Sequence, residues 1–267
     1  MKTGIIFCGH GTKSQQGLES FFKVYAELEK KLVANFEFNY GFIEYSQPSL
    51  QKAIEDQIHK GIQEIVILPS LLFSGVHITH DIPFVAQSIT SKYPAVSIKL
   101  AHTLDLSDTL VKLCLQLIHK QLITGSGAVE RKHLLVVGVG SSLAEANIKI
   151  ASLTRMLWEK IPFYYASYAF ISKMTFPSVD TELERLKAQG NNDIIVLPVI
   201  LFPGIYLESI AAKLENFSQA YNGKISVCSP FIESELLTDA FMHRLNETIS
   251  GHTNLLNEFE MIESARK

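Results

Sequence analysis

Cysteine is scarce in this chain: three in 267 residues (Cys8, Cys114, Cys228), far apart and never in a CxxC pair. That excludes a zinc knuckle or a redox dithiol, and apolar neighbours predict buried free thiols in a reducing cytoplasm. An excess of one charge is missing too. With 24 Lys+Arg against 27 Asp+Glu the formal net charge is −3 and no basic cluster occurs, which argues against a nucleic-acid partner. No apolar run approaches the ~20 residues that span a bilayer. The N-terminus passes from Met1-Lys2-Thr3 into a strand-like run without the pattern of a signal peptide. What is present, 47% hydrophobic and 19% charged residues, suits one or two globular domains working on a small molecule.

Strand-like and helix-like patterns alternate throughout. Apolar runs at Gly4–Gly9, Phe36–Ile43, Glu64–Pro69 and Val96–Leu100 are separated by helical patterns from about Gln15 to Val33, Ser49 to Lys60, beyond Pro83 and over Ser107–Gln121. Such βαβα alternation with β-branched runs such as "EIVILP" predicts a parallel sheet with helices on both faces. Ile123–Gly127 reads as a linker, and the pattern then restarts with strands at His133–Gly138, Ala169–Ile171 and "DIIVLP" (Asp193–Pro198) and a helix over Ser142–Glu159. The polar stretch from about Gly251 reads as a loosely held tail.

The two halves share punctuation at a constant spacing. Gly9 matches Gly138, Pro48 matches Pro177 and Gly75 matches Gly204, each difference being 129 (138 − 9, 177 − 48, 204 − 75). Gly11 and Gly140, Gly61 and Gly190, Leu68-Pro69 and Leu197-Pro198 keep the same difference. The chain is therefore a tandem duplication of one α/β unit, with an expected N-terminal domain over 1–124 and a C-terminal domain over 130–267.

The polar residues do not survive duplication. At the same spacing His10 faces Val139, Glu44 faces Lys173 and His77 faces Tyr206. A valine between two glycines builds the turn as well as His10 does, so His10 has a role beyond the turn. The three residues follow the first three strands, whose loops open at the carboxyl edge where doubly wound sheets bind ligands. With the first strand between the second and third, they converge, and two imidazoles with a carboxylate suit Fe²⁺, Co²⁺, Ni²⁺ or Zn²⁺. Blander readings stand beside this one. His10 alone could be a loop histidine, Glu44 a solvated residue or part of a cap, and His77 with His80 a surface pair. His80 is a possible substitute ligand. Asp81 reads as a helix cap, with Pro83 in the first turn.

"GHGT" after the first strand, "FIEYSQPSL" after the second and "LPSLLFSGVHITHDIP" after the third resemble the sirohydrochlorin chelatases of the cobaltochelatase/ferrochelatase type. The resemblance to their motifs runs from His10 to Pro83, and the second half resembles the same fold with its metal-binding residues replaced. It implies two tandem, pseudo-symmetric flavodoxin-like domains with a cleft between them, the C-terminal one forming the cleft's other wall. It further implies ATP-independent insertion of a divalent metal into a sirohydrochlorin-like tetrapyrrole in siroheme or cobalamin biosynthesis. His10, His77 and Glu44 would be both metal-binding and catalytic. Fe²⁺ or Co²⁺ would be a substrate, Ni²⁺ also fitting, with no organic cofactor. The expected protein is a cytoplasmic monomer without a nucleic-acid or membrane partner. The absence of a histidine-rich tail and of a cysteine cluster tilts the metal towards iron. Lys13 and Lys173 would attract the pigment's carboxylates, and Tyr206, Met174 and Phe176 would offer it apolar area, although Phe176 reads equally as core. Two alternatives share the pocket: a non-catalytic metal or tetrapyrrole carrier, and a metal-dependent hydrolase, which would need a further base such as Asp81.

Overall fold

A computed structural model describes residues 2–33, 35–125 and 127–258. The first strands and helices are β1 (Thr3–Gly9), α1 (Gln15–Lys31), β2 (Phe36–Phe42), α2 (Leu50–His59), β3 (Glu64–Pro69), α3 (Ile82–Lys92), β4 (Ser97–Leu100) and α4 (Asp108–Thr124). The second series is β5 (His133–Gly138), α5 (Ala144–Lys160), β6 (Tyr165–Phe170), α6 (Val179–Ala188), β7 (Asp193–Pro198), α7 (Ile205–Ser218), β8 (Lys224–Val227) and α8 (Leu236–Ile249). Two four-stranded parallel sheets result, ordered β2-β1-β3-β4 and β6-β5-β7-β8, as the alternation predicts. In each the first strand lies between the second and third. Among the described residues no helix is long and apolar enough to cross a membrane.

Local chemistry sets the element ends. Ser14, Ser49, Ser107 and Ser178 cap α1, α2, α4 and α6 by accepting a backbone N–H from the first turn. The central strands are sealed on both faces: Ile5, Ile6, Phe7 and Cys8 in β1 and Leu134 to Val137 in β5 are fully buried. All three cysteines are buried and free, and burial pushes the Cys8 thiol up to about 12, which removes it as a thiolate ligand or nucleophile.

The compact units do not follow the sequence repeat. One contains the chain up to Asp105 together with the chain from Thr238, and the other is Leu106–Leu237. Each repeat's last helix therefore packs in the unit built mainly from the other repeat. In the first unit Phe241 of α8 meets the Phe7 ring edge-on at 5.2 Å, and Arg244 donates to the Leu104 carbonyl at 2.8 Å. In the second, Gln116 of α4 accepts from Ser234 at 2.5 Å. The expected division at 1–124 and 130–267 follows the repeat in the sequence, whereas the compact units group α4 and α8 otherwise. The polar C-terminal stretch is held as far as it is described: Leu255 is buried in the first core, and Asn254 accepts the Leu100 N–H at 3.1 Å. Residues 259–267, the rest of the expected tail, lie outside the described residues, as does Ser126 of the expected linker.

The structure also corrects the alignment of the halves. Ile43 N–H donates to Gly9 C=O and Glu44 N–H to His10 C=O, whereas Ile171 donates to Gly138 and Ser172 to Val139. The first strands keep the spacing of 129 (138 − 9, 139 − 10), but the second strands sit at 128 (171 − 43, 172 − 44). The residue opposite Glu44 is thus Ser172 rather than Lys173. The missing residue returns in the following loop, because the Phe42 N–H reaches Pro48 while the Phe170 N–H reaches Pro177.

Candidate metal site at the carboxyl edge of the first sheet

His10 leaves the end of β1 between two glycines that the packing requires. A Cβ on Gly9 would come within 2.8 Å of Phe21, and one on Gly11, at φ +92°, within 1.7 Å of the Glu44 carbonyl oxygen. Only glycine lets the turn lie this close to the loop after β2. That loop is clasped from both sides: Ser46 Oγ accepts from Thr12 N–H and donates to Thr12 C=O, each at 3.1 Å.

His77 opens a π turn over His77–Asp81 that runs into α3. The two imidazoles meet edge to face, with ring centroids 4.5 Å apart and planes at 82°. His10 Nδ1 lies 3.1 Å from the Gly11 carbonyl oxygen, and His77 Nδ1 lies 2.6 Å from Asp81 Oδ2. A carbonyl and a carboxylate accept, so in each ring Nδ1 carries the hydrogen and, when neutral, Nε2 keeps its lone pair. The surroundings are apolar and open: the Tyr45 ring stacks on His10 at 5.8 Å, and Tyr45, Val76 and Phe84 are exposed. Lys13 Nζ sits 5.3 Å from the Tyr45 ring centre.

The other expected residues are placed differently. The Glu44 backbone is tied to His10, its N–H donating to the His10 carbonyl at 2.9 Å, but its side chain is exposed. Among the described residues no group of three His, Cys, Asp or Glu side chains is gathered to hold a metal. The pair His10/His77 is assembled; the carboxylate is not drawn in as a third ligand. His80, 75% exposed, reaches Asp81 Oδ1 at 3.2 Å and stands outside the pair. Asp81 was expected as a cap, yet it makes no capping bond and its backbone is helical. It bonds to both histidines instead. Burial works against its charge, but the hydrogen bonds from His77 and His80 and their attraction outweigh that and hold its carboxyl below the usual range. A sequence signal existed: His77 and Asp81 are four apart, the spacing that shares a helix face.

At the matching edge of the second sheet, Met174, Phe176, Ile205 and Tyr206 are exposed, Phe176 by 77%. Phe176 is not core. Lys173 is exposed beside them.

Comparison with known proteins agrees with the duplication. The CbiX family model matches residues 4–121 and again residues 133–248. The chain is 25% identical over 259 residues to the sirohydrochlorin ferrochelatase of Bacillus subtilis, covering 94% of each. It is 22% identical over 252 residues to the sirohydrochlorin cobaltochelatase of Priestia megaterium, covering 94% of this chain and 81% of that one. Its fold is similar to that of SirB from Bacillus subtilis with Fe3+, at a TM-score of 0.82 and 21% identity over 93% of this chain and 96% of the other. Two matches to one model, the paired sheets and full-length coverage make the chain a member of the CbiX/SirB sirohydrochlorin chelatase family in its two-domain form.

Proposed function

We propose that this protein inserts Fe²⁺ or Co²⁺ into sirohydrochlorin without ATP, in the cytoplasm, as a step towards siroheme or cobalamin. The observation that carries this reading is the His10/His77 pair, two imidazoles 4.5 Å apart with both Nδ1 atoms engaged. Insertion requires that a metal lose water and that two pyrrolic nitrogens lose protons. Two Nε2 lone pairs suit both tasks, since imidazole binds these metals and accepts a proton near neutral pH. A site with two side-chain ligands holds metal weakly enough to release it, unlike a closed four-ligand site. Glu44, anchored to His10 through its backbone, extends into solvent and is suited to passing protons outward. Tyr45, Val76 and Phe84 offer apolar area to a macrocycle beside the pair. Co²⁺ and Fe²⁺ both accept this ligand set, and the family relatives divide between the two metals in the same way.

An anaerobic assay with sirohydrochlorin in excess over enzyme, following macrocycle absorption with Fe²⁺ and Co²⁺ in turn, tests the proposal. Many turnovers that vanish in His10→Ala support it, and the faster metal identifies the pathway. Stoichiometric pigment or metal binding without turnover would make the protein a carrier. Equal rates in both proteins would remove His10 from the chemistry.

A further inference from the structure

The first unit carries a residue that the second lacks, just where His77 sits. Thr79 N–H donates to the Gly75 carbonyl at 3.1 Å and Glu208 N–H to the Gly204 carbonyl at 3.0 Å, so these positions match at 129 (208 − 79). The buried positions that follow, Ile82, Ala86 and Ile89 in α3 and Ile210, Leu214 and Phe217 in α7, match at 128 (210 − 82, 214 − 86, 217 − 89). His80 and Asp81 therefore stand opposite the single Ser209. The π turn absorbs the extra residue, closing with a bond from Ile82 N–H to the His77 carbonyl. Such insertions weaken a helix and cluster at functional sites, where they re-aim a side chain. The unit with no histidine in this place, Tyr206 standing there, begins α7 as a regular helix without the insertion.

We infer that Asp81 is the positioning residue for His77, brought into place by this one-residue insertion: its Oδ2 holds the Nδ1–H and presents Nε2 as a lone pair. The inference rests on the reading of His10 and His77 as the metal-handling pair. A neutral imidazole left to water favours the other tautomer, with hydrogen on Nε2, which can neither bind a metal through that atom nor accept a proton there. His10 is set by the Gly11 carbonyl, 3.1 Å away. Among the described residues no backbone oxygen takes that role for His77, which takes the Asp81 carboxylate at 2.6 Å. Carboxylates behind metal-binding histidines fix tautomer and ring angle in this way, and removing one typically weakens metal binding ~10–100-fold.

Long-range ¹H–¹⁵N correlation on the metal-free, full-length protein, at about pH 8 where imidazoles are neutral, reads each tautomer directly. Wild type is expected to show Nδ1–H for His10 and His77. Asp81→Ala should switch His77 to Nε2–H while leaving His10 and the buried His133 of the other unit unchanged, which also certifies the fold. Asp81→Asn, which keeps a carbonyl acceptor, should retain Nδ1–H. A Co²⁺ titration should then show a loss of ~10–100-fold in affinity for Asp81→Ala and a smaller loss for Asp81→Asn. His77 already as Nε2–H in wild type, or an unchanged tautomer in Asp81→Ala, would overturn the inference. A tautomer switch in a protein that neither binds Co²⁺ nor turns over would instead establish the Asp81 hold on His77 and defeat the chelatase reading alone.

Discussion

Gly9-His10-Gly11 and Gly138-Val139-Gly140 make the same turn after the same strand. Gly11 and Gly140 hold φ at +92° and +89°, and in both the middle carbonyl accepts an N–H from the loop after the neighbouring strand, at 2.9 Å from Glu44 and 2.8 Å from Ser172. The backbone thus needs glycine at both ends and is indifferent to what lies between. On the proposed reading the histidine serves the chemistry, and with it go the π insertion and Asp81. The second unit keeps the scaffold with Val139, Ser172 and Tyr206 in those places, so each half serves as a control for the other.

His10→Val, which writes the second unit's own solution into the first, should give the largest effect. Turnover should fall by ~10²–10⁴-fold, the range for losing a proton-transfer group. Stability should change by less than ~1 kcal/mol, because valine already sits in this turn in the other unit. The converse change, Val139→His, should add no activity, since the second edge has neither a second imidazole nor the insertion. Parallel rate and thermal-denaturation measurements decide it: a His10→Val protein that unfolds readily would mean that the imidazole holds the turn together.

The opposite edge of the sheets offers a sharper contrast in stability. Glu64 and Asp193 begin β3 and β7 at matching positions (193 − 64 = 129). Glu64 is 47% exposed and pairs with Lys99 at 2.9 Å, whereas Asp193 pairs with Lys132, whose side chain is only 3% exposed. Removing the carboxylate of a buried pair costs more than removing that of an exposed pair, which contributes about 0–1 kcal/mol. Urea denaturation should therefore find Asp193→Ala strongly destabilised and Glu64→Ala nearly neutral. Similar losses would mean that the burial of Lys132 adds nothing to its pairing with Asp193.

A third contrast is pH-dependent. His133 in β5 matches Gly4 in β1 (133 − 4 = 129), where Gln57 fills the space that a side chain would occupy. His133 is fully buried. It shares a 2.8 Å hydrogen bond between Nε2 and Ser167 Oγ, while its Nδ1 has no partner. Burial chiefly, with Arg185 opposing protonation and Glu182 favouring it, lowers its pKa to about 4. Because the folded value is depressed, the unfolded chain takes up the proton first. Stability is intact above about pH 6.5 and declines as pH falls towards 4, by on the order of 3 kcal/mol. The lowered carboxyl of Asp81, whose hydrogen bonds outweigh burial, contributes above its unfolded value and is lost only as pH falls further. Hydrogen exchange between pH 7 and 4.5 should show β5 amides losing protection before β1 amides, and His133→Leu should remove the difference. Protection lost equally in both strands would mean that the two units unfold together.

Much of this was legible in the sequence because glycine and proline punctuate backbone, and backbone is what the duplication preserved. The alternation of strands and helices, and the meeting of His10 with His77 once the first strand is placed between the second and third, follow from that punctuation. Single-residue slips did not show. The second strand's offset of 128 lies between turns that both sit at 129, so matching the turns alone hides it and wrongly pairs Glu44 with Lys173. Asp81 was read as a cap because Asp-Ile-Pro is a good helix start, and a π turn leaves no mark in hydrophobic periodicity. The exchange of α4 and α8 was equally hidden, since an amphipathic helix carries an apolar face without naming the sheet that it will cover.

The smallest prediction is one in which the halves should not differ. Gly61 and Gly190 follow α2 and α6 with φ at +83° and +74°, and a Cβ at either would meet nothing within 4 Å. Only the left-handed backbone then opposes a side chain, and replacement by alanine should cost about 1 kcal/mol at each. Equal shifts would confirm that these turns share one geometry. A cost at Gly190 well above that at Gly61 would show that the second unit depends more heavily on this turn than the first.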